Sequence, residues 1–231
     1  MNKDLEQNTI VTNYEFSSGI LVLESSKGGS IKVKLNGFDL SKLTPDGYEI
    51  YLSDSGSECK HKEGRIEVSS KELKNPSFLL TLLHEVGHSA KDEKVDLDRD
   101  KEISRELKEL SRKNSEKDVL RYIGVLEEYT RLVEKRERQA WLSSIKSLKT
   151  VLLESGHDVR KNFANFEEFF SKIIRHYKSY LLGMKYVFEK SGKGTDKQWH
   201  DFEAYVDQIF NPHIPILEDE ARVFWETELP K

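Results

Sequence analysis

Several segments of the first 70 residues alternate between apolar and polar side chains, which is the pattern of half-buried β-strands. Ile20–Glu24 and Ile31–Leu35 alternate in this way and are separated by the Ser- and Gly-rich segment Ser25–Ser30, so we expect a hairpin. Tyr48–Ser53 and Gly64–Ser69 show the same alternation further along the chain. The N-terminal part of the protein is therefore predicted to be rich in β-structure.

A polar loop is predicted between the last two of these strands. Asp54–Glu63 consists of turn-forming and charged residues, and Cys59 lies within it beside lysine and histidine, where we expect a solvated cysteine. In all we expect three to five strands, which form a small, mostly antiparallel sheet over residues 15–70.

The pattern changes to a helical period after Asn75-Pro76. Asn is a favoured N-cap and Pro a favoured first helical residue, so a helix is predicted over residues 76–91. One face of this helix is apolar, with side chains at i, i+3, i+4, i+7 and i+11: Leu79, Leu82, Leu83, Val86 and Ala90. We expect that face to be buried.

The remainder of the chain is predicted to be helical. Charged residues dominate residues 91–118, but apolar residues at i, i+4 and i+7 from Ile103 predict an exposed helix there. A long helix is predicted over residues 118–153, ending at Gly156. Three further helices are predicted: Phe166–Phe188, Gln198–Phe210 and Ile216–Glu226.

A β-rich beginning followed by a largely helical half makes the predicted fold class α+β. We expect one domain over residues 1–155, with a helical extension over residues 156–231 that can pack on the same core. The sequence shows no basic face for nucleic acid, since its net charge of -4 comes from interspersed charges of both signs. Its apolar runs are too short for a bilayer, and Met1–Ile10 lacks the apolar stretch of a signal peptide. We therefore expect a cytoplasmic protein that binds neither nucleic acid nor membrane. The sequence does not indicate its oligomeric state.

The segment His84-Glu85-Val86-Gly87-His88 has the form H-E-x-x-H. Residues four apart lie on the same side of a helix, so His84 and His88 can bind one tetrahedral metal ion, and we expect one zinc ion per chain. Glu85 is then placed beside the water on the metal as the general base, which passes the proton to the leaving amine. Gly87 costs roughly 1 kcal/mol of helix propensity relative to alanine, which indicates that another element approaches closely. The motif predicts a zinc peptidase that acts on a peptide or protein.

A third ligand must come from elsewhere. In metzincins a histidine follows six residues after the second ligand, with a glycine three residues before it, but Lys94 and Lys91 occupy these positions here. The metzincin arrangement is therefore excluded, and a glutamate on a later helix is the main alternative.

Glu137 is the best candidate for that ligand. Its neighbours at i−4, i+3 and i+4 are Val133, Ala140 and Trp141, so its carboxylate lies on the apolar stripe of the long helix, where it needs a cation. That cation is a metal ion or an arginine. Glu134 has polar neighbours and is expected at the surface. The alternative ligands are Glu127, Glu128, Asp92 and Glu93.

The two motifs together resemble those of gluzincins. His84-Glu85-Val86-Gly87-His88 followed by Glu137-x-x-Ala140 is most similar to the compact minigluzincins and the phage-repressor-cleaving metallopeptidases, over residues 45–145. The gap from His88 to Glu137 is longer than in the compact members. The resemblance implies a small sheet before the active-site helix and a glutamate third ligand on the next helix.

The same resemblance implies a place for substrate. Arg65–Ser69 would be an edge strand to which an extended peptide adds its backbone hydrogen bonds. A tyrosine or histidine is expected to stabilise the oxyanion, and the sequence offers several such donors: Tyr129, His157, His176 and His200.

Two other functions compete with the peptidase. A catalytically silent regulator or binding module can retain this scaffold and use its C-terminal helices to bind a partner. Alternatively, those helices can cover the cleft and keep an enzyme latent. The intact Glu85 favours the enzyme, because a purely structural metal site does not need a general base.

Overall fold

The structure, a computed structural model, describes residues 11–16, 19–25, 28–75, 77–89 and 93–227. In this part of the chain a sheet of seven strands precedes six α-helices, and the predicted α+β class is confirmed. The strands are β1 (Val11–Phe16), β2 (Gly19–Ser25), β3 (Ser30–Leu35), β4 (Phe38–Asp39), β5 (Glu49–Ser53), β6 (Glu58–Lys60) and β7 (Arg65–Ser69). The helices are α1 (Phe78–His88), α2 (Glu93–Leu110), α3 (Glu116–Ser155), α4 (Phe166–Ser191), α5 (Asp196–Phe210) and α6 (Ile214–Trp225).

The sheet has the strand order β1-β2-β3-β5-β7-β6, with β4 paired to β3. The predicted hairpin of β2 and β3 is confirmed, and the sheet is antiparallel except where β5 and β7 pair in parallel. The expected number of three to five strands is wrong, since seven are described. The missed strands are β1, β4 and β6, and the last two are too short to show an alternating pattern.

Two local predictions need correction at this sheet. The segment Asp54–Glu63 is not only a loop, because β6 lies within it and pairs with β7 in an antiparallel register. Consequently β7 is an inner strand, and the expectation that Arg65–Ser69 forms the edge is wrong. The edge on this side of the sheet is β6.

Helix α1 is buried around most of its circumference, because it packs on β6 and β7 on one side and on α3 on the other. Every residue of α1 except Thr81 is buried. The helix begins at Phe78, two residues later than predicted, because the Asn75 side chain accepts hydrogen bonds from the backbone N–H and hydroxyl of Ser77 in a preceding turn. Pro76 and residues 90–92, on which other parts of the helix prediction depend, lie outside the described residues.

Helix α3 is the longest element, with 40 residues and a length of about 60 Å. The Ser115 side chain caps its first turn, and Gly156 ends it in the left-handed conformation, with φ of 66°. Helices α1, α2, α4, α5 and α6 all pack against it, and the buried apolar residues form one continuous cluster. The predicted helices are confirmed, with ends that differ by a few residues. In the described part of the chain, none is long and apolar enough to cross a membrane.

Candidate metal centre

The H-E-x-x-H motif lies on the C-terminal half of α1, where this helix crosses α3 at close range. A Cβ atom at Gly87 would lie 2.4 Å from the carbonyl oxygen of Ala140 and 2.9 Å from its Cα. These contacts are with backbone, so the crossing is possible only because position 87 has no side chain. The expectation that a second element approaches Gly87 is confirmed.

This crossing brings Glu137 to the two histidines of the motif. The Nε2 atoms of His84 and His88 lie 3.1 Å apart. The Glu137 carboxylate reaches both, with Oε2 at 3.2 Å from His84 Nε2 and Oε1 at 3.4 Å from His88 Nε2. His84 is completely buried, and the other two are at least nine-tenths buried.

The charges of these groups follow from their burial. Burial, and then the proximity of His88, lower the pKa of His84 to about 3, so its imidazole is neutral near pH 7. Burial would raise the pKa of Glu137, but the adjoining His84 and His88 outweigh it and lower that pKa to about 2. The short His84–Glu137 contact is therefore better described as a carboxylate beside a neutral imidazole than as an ion pair.

This donor set fits a divalent metal ion. Two imidazole nitrogens and a carboxylate are the ligand types that zinc prefers, and Oε2 of Glu137 is buried with no hydrogen-bond partner among the described residues. An ionised carboxylate so buried needs a positive partner. The residues predicted as ligands are thus placed together, while the binding of zinc stays a prediction.

Glu85 lies next to these ligands on the wall of a cleft of about 230 Å³. Burial raises the pKa of its carboxyl to about 7, despite the opposing effect of His88. A carboxyl with such a pKa exchanges its proton readily near neutral pH. The cleft is lined by residues from the sheet edge and from α1, α3 and α4: Ser57, Glu58, Cys59, His61, Glu85, His88, Arg136, Glu137 and Tyr180.

The sheet side of the cleft is formed by β6 and its flanking residues. Cys59 is half-buried on this edge strand, with its Sγ 4.0 Å from Nδ1 of His61, so the expectation of a solvated loop cysteine is wrong. The segment is polar because only one of its faces packs on the protein. That is why its sequence resembles a loop.

Helix α4 supplies two residues to the centre, His176, which was among the expected oxyanion donors, and Tyr180, which was not. Tyr180 lines the cleft, and burial and then the charge of Glu137 raise its pKa well above the usual value, so its hydroxyl stays protonated. The ring centroid of His176 lies 4.7 Å from that of His84. Tyr180 follows His176 by four residues, so both lie on one face of α4. This spacing was the signal available in the sequence.

Glu134 also differs from expectation. It is 4% exposed rather than at the surface, because α4 covers this side of α3. Its Oε1 accepts hydrogen bonds from the Tyr177 hydroxyl at 2.8 Å and from Arg138 Nε at 2.9 Å. The buried Glu134 therefore ties α4 to α3.

The other candidate ligands lie apart from this centre or outside the described side chains. Glu128 pairs with Arg99 of α2, at 2.6 and 2.8 Å, and the neighbouring Glu127 lies ten residues, about 15 Å along the helix, before Glu137. The side chain of Glu93 and all of Asp92 fall outside the described part.

Among the predicted oxyanion donors, only His176 reaches the metal centre. His200 is exposed on α5, and His157 follows the far end of α3. Tyr129 lies eight residues, about 12 Å along α3, before Glu137. Neither it nor the two distant histidines lines the cleft.

Comparison of the chain with family models, with curated proteins and with solved structures finds no match. The resemblance to gluzincins therefore rests on the motifs and on the arrangement of the four residues described above.

Proposed function

We propose that this protein is a zinc-dependent peptidase of the gluzincin type. One observation carries the proposal: His84, His88 and Glu137 direct their ligand atoms to one point, within 3.1–3.4 Å of one another, beside Glu85 on the wall of a cleft. A metal-binding triad next to an acid–base group is the arrangement that hydrolytic metal sites use.

The metal would be held by His84, His88 and Glu137. When bound, zinc polarises the carbonyl group of a substrate and lowers the pKa of a water molecule to about 7. The stacking of His84 on Trp141, with ring centroids 4.3 Å apart, fixes the orientation of the first imidazole. The first ligand is thus held in place by packing.

Glu85 is the proposed general base and acid. Its carboxyl faces the cleft, and its raised pKa of about 7 allows it to take a proton from water and to return it to the leaving amine. Tyr180, which also lines the cleft, is a protonated donor that can hydrogen-bond the oxyanion of the substrate.

The proposed substrate is an extended segment of a peptide or protein. The strand β6 borders the cleft and is paired on one side with β7, so its other side can accept a further strand. A peptide paired there would pass over Glu85 and the ligand set. We propose that β6 takes the substrate-binding place first expected for Arg65–Ser69.

Metal content tests the ligand set. We would measure zinc by elemental analysis in the purified parent protein and in the variants His84→Ala, Glu137→Ala and His200→Ala. The expected result is about one zinc per chain in the parent and in the exposed control His200→Ala, with loss of zinc in the other two. If zinc is lost in His84→Ala but kept in Glu137→Ala, the third ligand is a residue other than Glu137. A folded parent that binds no added zinc would overturn the proposal.

Turnover tests the role of Glu85. Glu85→Gln should keep its zinc, because this carboxyl is not a ligand, and should lose hydrolysis of a peptide library by at least about 100-fold. If the parent and the variant cleave equally, Glu85 is not the general base. If the zinc-loaded parent cleaves nothing, the active enzyme is contradicted, and the silent binding module or the latent enzyme becomes the better description.

A further inference from the structure

A third histidine, His176, lies close to the proposed zinc ligands. One ligand atom each of His84, Glu137 and His176 lie within 4.8 Å of one another. Ligand atoms of a zinc ion with bonds of about 2 Å are roughly 3–4 Å apart, so a small rotation of the His176 side chain brings it into the coordination shell.

The His176 ring is suited to this role by its surroundings. Its Nδ1 is buried and has no hydrogen-bond partner among the described residues. The ring makes edge contacts with His84, Trp141 and Tyr180, at centroid distances of 4.7, 5.4 and 5.5 Å.

Its helix is held firmly against the site. Tyr177, the next residue, is fully buried and donates its hydroxyl hydrogen bond to Glu134 of α3. Glu134 is one helical turn before Glu137, so this bond fixes α4 next to the ligand on α3. The position of His176 is thus set by a buried polar contact.

We propose that His176 is a fourth protein ligand, which closes the coordination shell in the resting protein. The inference rests on the proposed zinc site. Four protein ligands are typical of closed metal sites, whereas catalysis needs one open position. Helix α4 would therefore keep the metal in an inactive form, and activity would require His176 to leave.

The structure provides the room for that departure. A second cavity of about 320 Å³ lies between α1 and α4, and His176 forms part of its wall together with Thr81 of α1 and Ser179 of α4. The His176 ring therefore borders both this cavity and the ligand set. A change of its side-chain rotamer into the cavity would open the metal without moving the helices.

Cobalt binding tests the closed state without relying on activity. His/His/carboxylate sites also accept Co²⁺, whose visible spectrum reports its ligands. We would titrate the Co²⁺-loaded parent with acetohydroxamate, a small metal-binding ligand, and measure zinc affinity by competition with a chelating dye. The same measurements would be made on His176→Gln, His84→Ala and the exposed control His200→Gln.

We expect His176→Gln to weaken zinc binding at least roughly 100-fold, because loss of even an outer-shell partner costs about 10–100-fold, and to change the Co²⁺ spectrum. Acetohydroxamate should bind this variant at least tenfold more tightly than the parent, because apparent affinity scales with the open fraction. The control should match the parent. An unchanged spectrum and unchanged acetohydroxamate affinity in His176→Gln would overturn the fourth ligand.

A second variant keeps the test decisive if His176→Gln folds poorly. Thr81→Leu narrows the second cavity and leaves all proposed ligands in place, so it should weaken acetohydroxamate binding by hindering the departure of His176. Unchanged binding in Thr81→Leu would contradict the rotamer exchange. Failure of the parent to bind metal, or no loss in His84→Ala, would instead overturn the zinc site itself.

Discussion

The sheet and the helical half contribute different things to the cleft. All four proposed ligands and Glu85 come from α1, α3 and α4, and His84, Glu85, His88 and Glu137 are at most 6% exposed. The sheet contributes the rim alone, through the three-residue strand β6 and its neighbours, which are exposed or half-buried. Metal binding should therefore depend on how the helices pack, and substrate binding on the sheet edge. Substitutions on the two sides should have separable effects.

The largest effect should come from the crossing of α1 and α3. In Gly87→Ala the new methyl group meets the backbone of Ala140 at 2.4 Å, so the helices must separate. We expect a loss of unfolding free energy of more than about 3 kcal/mol, at the upper end for overpacking, together with loss of zinc. Urea denaturation and elemental analysis measure the two effects.

Gly124→Ala is the matched control, because Gly124 lies on α3 and a Cβ there meets no atom within 4 Å. It should stabilise the protein by up to about 1 kcal/mol through helix propensity. If Gly87→Ala behaves in the same way and keeps zinc, the helical half of the site does not depend on this close contact.

The second-largest effect should be on the pH dependence of stability in the metal-free protein, and it comes from the buried carboxyl of Glu85. Burial raises the pKa of Glu85 from 4.5 to about 7, so between these pH values the folded state binds more protons than the unfolded state. This group therefore lowers stability as the pH rises. Glu85→Gln should be more stable than the parent by about 3 kcal/mol at pH 8, since each tenfold change in acidity corresponds to about 1.4 kcal/mol.

Urea denaturation from pH 4 to pH 8, in the presence of a chelator, measures this difference. The gain in Glu85→Gln should disappear below pH 4.5. His84 has the opposite effect on stability. Its pKa is 6.5 in the unfolded state and about 3 in the folded state, so the stability that its neutral ring contributes is lost as the pH falls below 6.5. That contribution is common to both proteins and cancels in the comparison. A difference that does not vary with pH would contradict a buried, titrating Glu85.

Much of the helical half could be predicted from the sequence. The spacing of His84 and His88 fixes their common side of α1, and the glycine at position 87 indicated a close crossing. Glu137 was placed beside them by a simple argument, that a carboxylate among apolar neighbours needs a cation. These inferences are local to one helix each, and local periodicity is the strongest signal in a sequence.

The features that were missed depend on contacts between distant segments. Glu134 has polar neighbours on its own helix, and its burial arises only because α4 covers it. Tyr180 was not among the expected donors, and it reaches the centre together with His176 because α4 packs against α3, which no local pattern indicates. The strand β6 is defined by its pairing with β7, and three polar residues carry no alternating pattern.

A smaller effect is expected where α4 is anchored. Tyr177→Phe removes the hydroxyl that donates to Glu134 and leaves Arg138 as the remaining close donor to that oxygen. The loss should be about 1–2 kcal/mol in unfolding free energy, with weaker zinc binding because His176 is the adjacent residue. Tyr186→Phe, on the exposed side of α4, is the control and should change neither. Equal stability of the two variants would show that α4 does not depend on this bond.

The smallest effect on stability should come from the sheet edge, where the effect on turnover should nevertheless be large. Consecutive backbone N–H groups of a strand point to opposite sides, so Glu58→Pro and Cys59→Pro remove one N–H that faces β7 and one that faces the open edge. The variant that loses the outward N–H should keep its zinc and lose less than about 1 kcal/mol of stability, because edge strands tolerate proline there. Its peptide hydrolysis should fall at least tenfold, since the proposed substrate pairs with that edge.

Zinc content, urea denaturation and peptide turnover, measured on both variants, test this prediction. If both variants cleave as the parent does, β6 does not bind the substrate backbone. The proposed role of the sheet edge would then be wrong, while the proposed metal site on the helices would be unaffected.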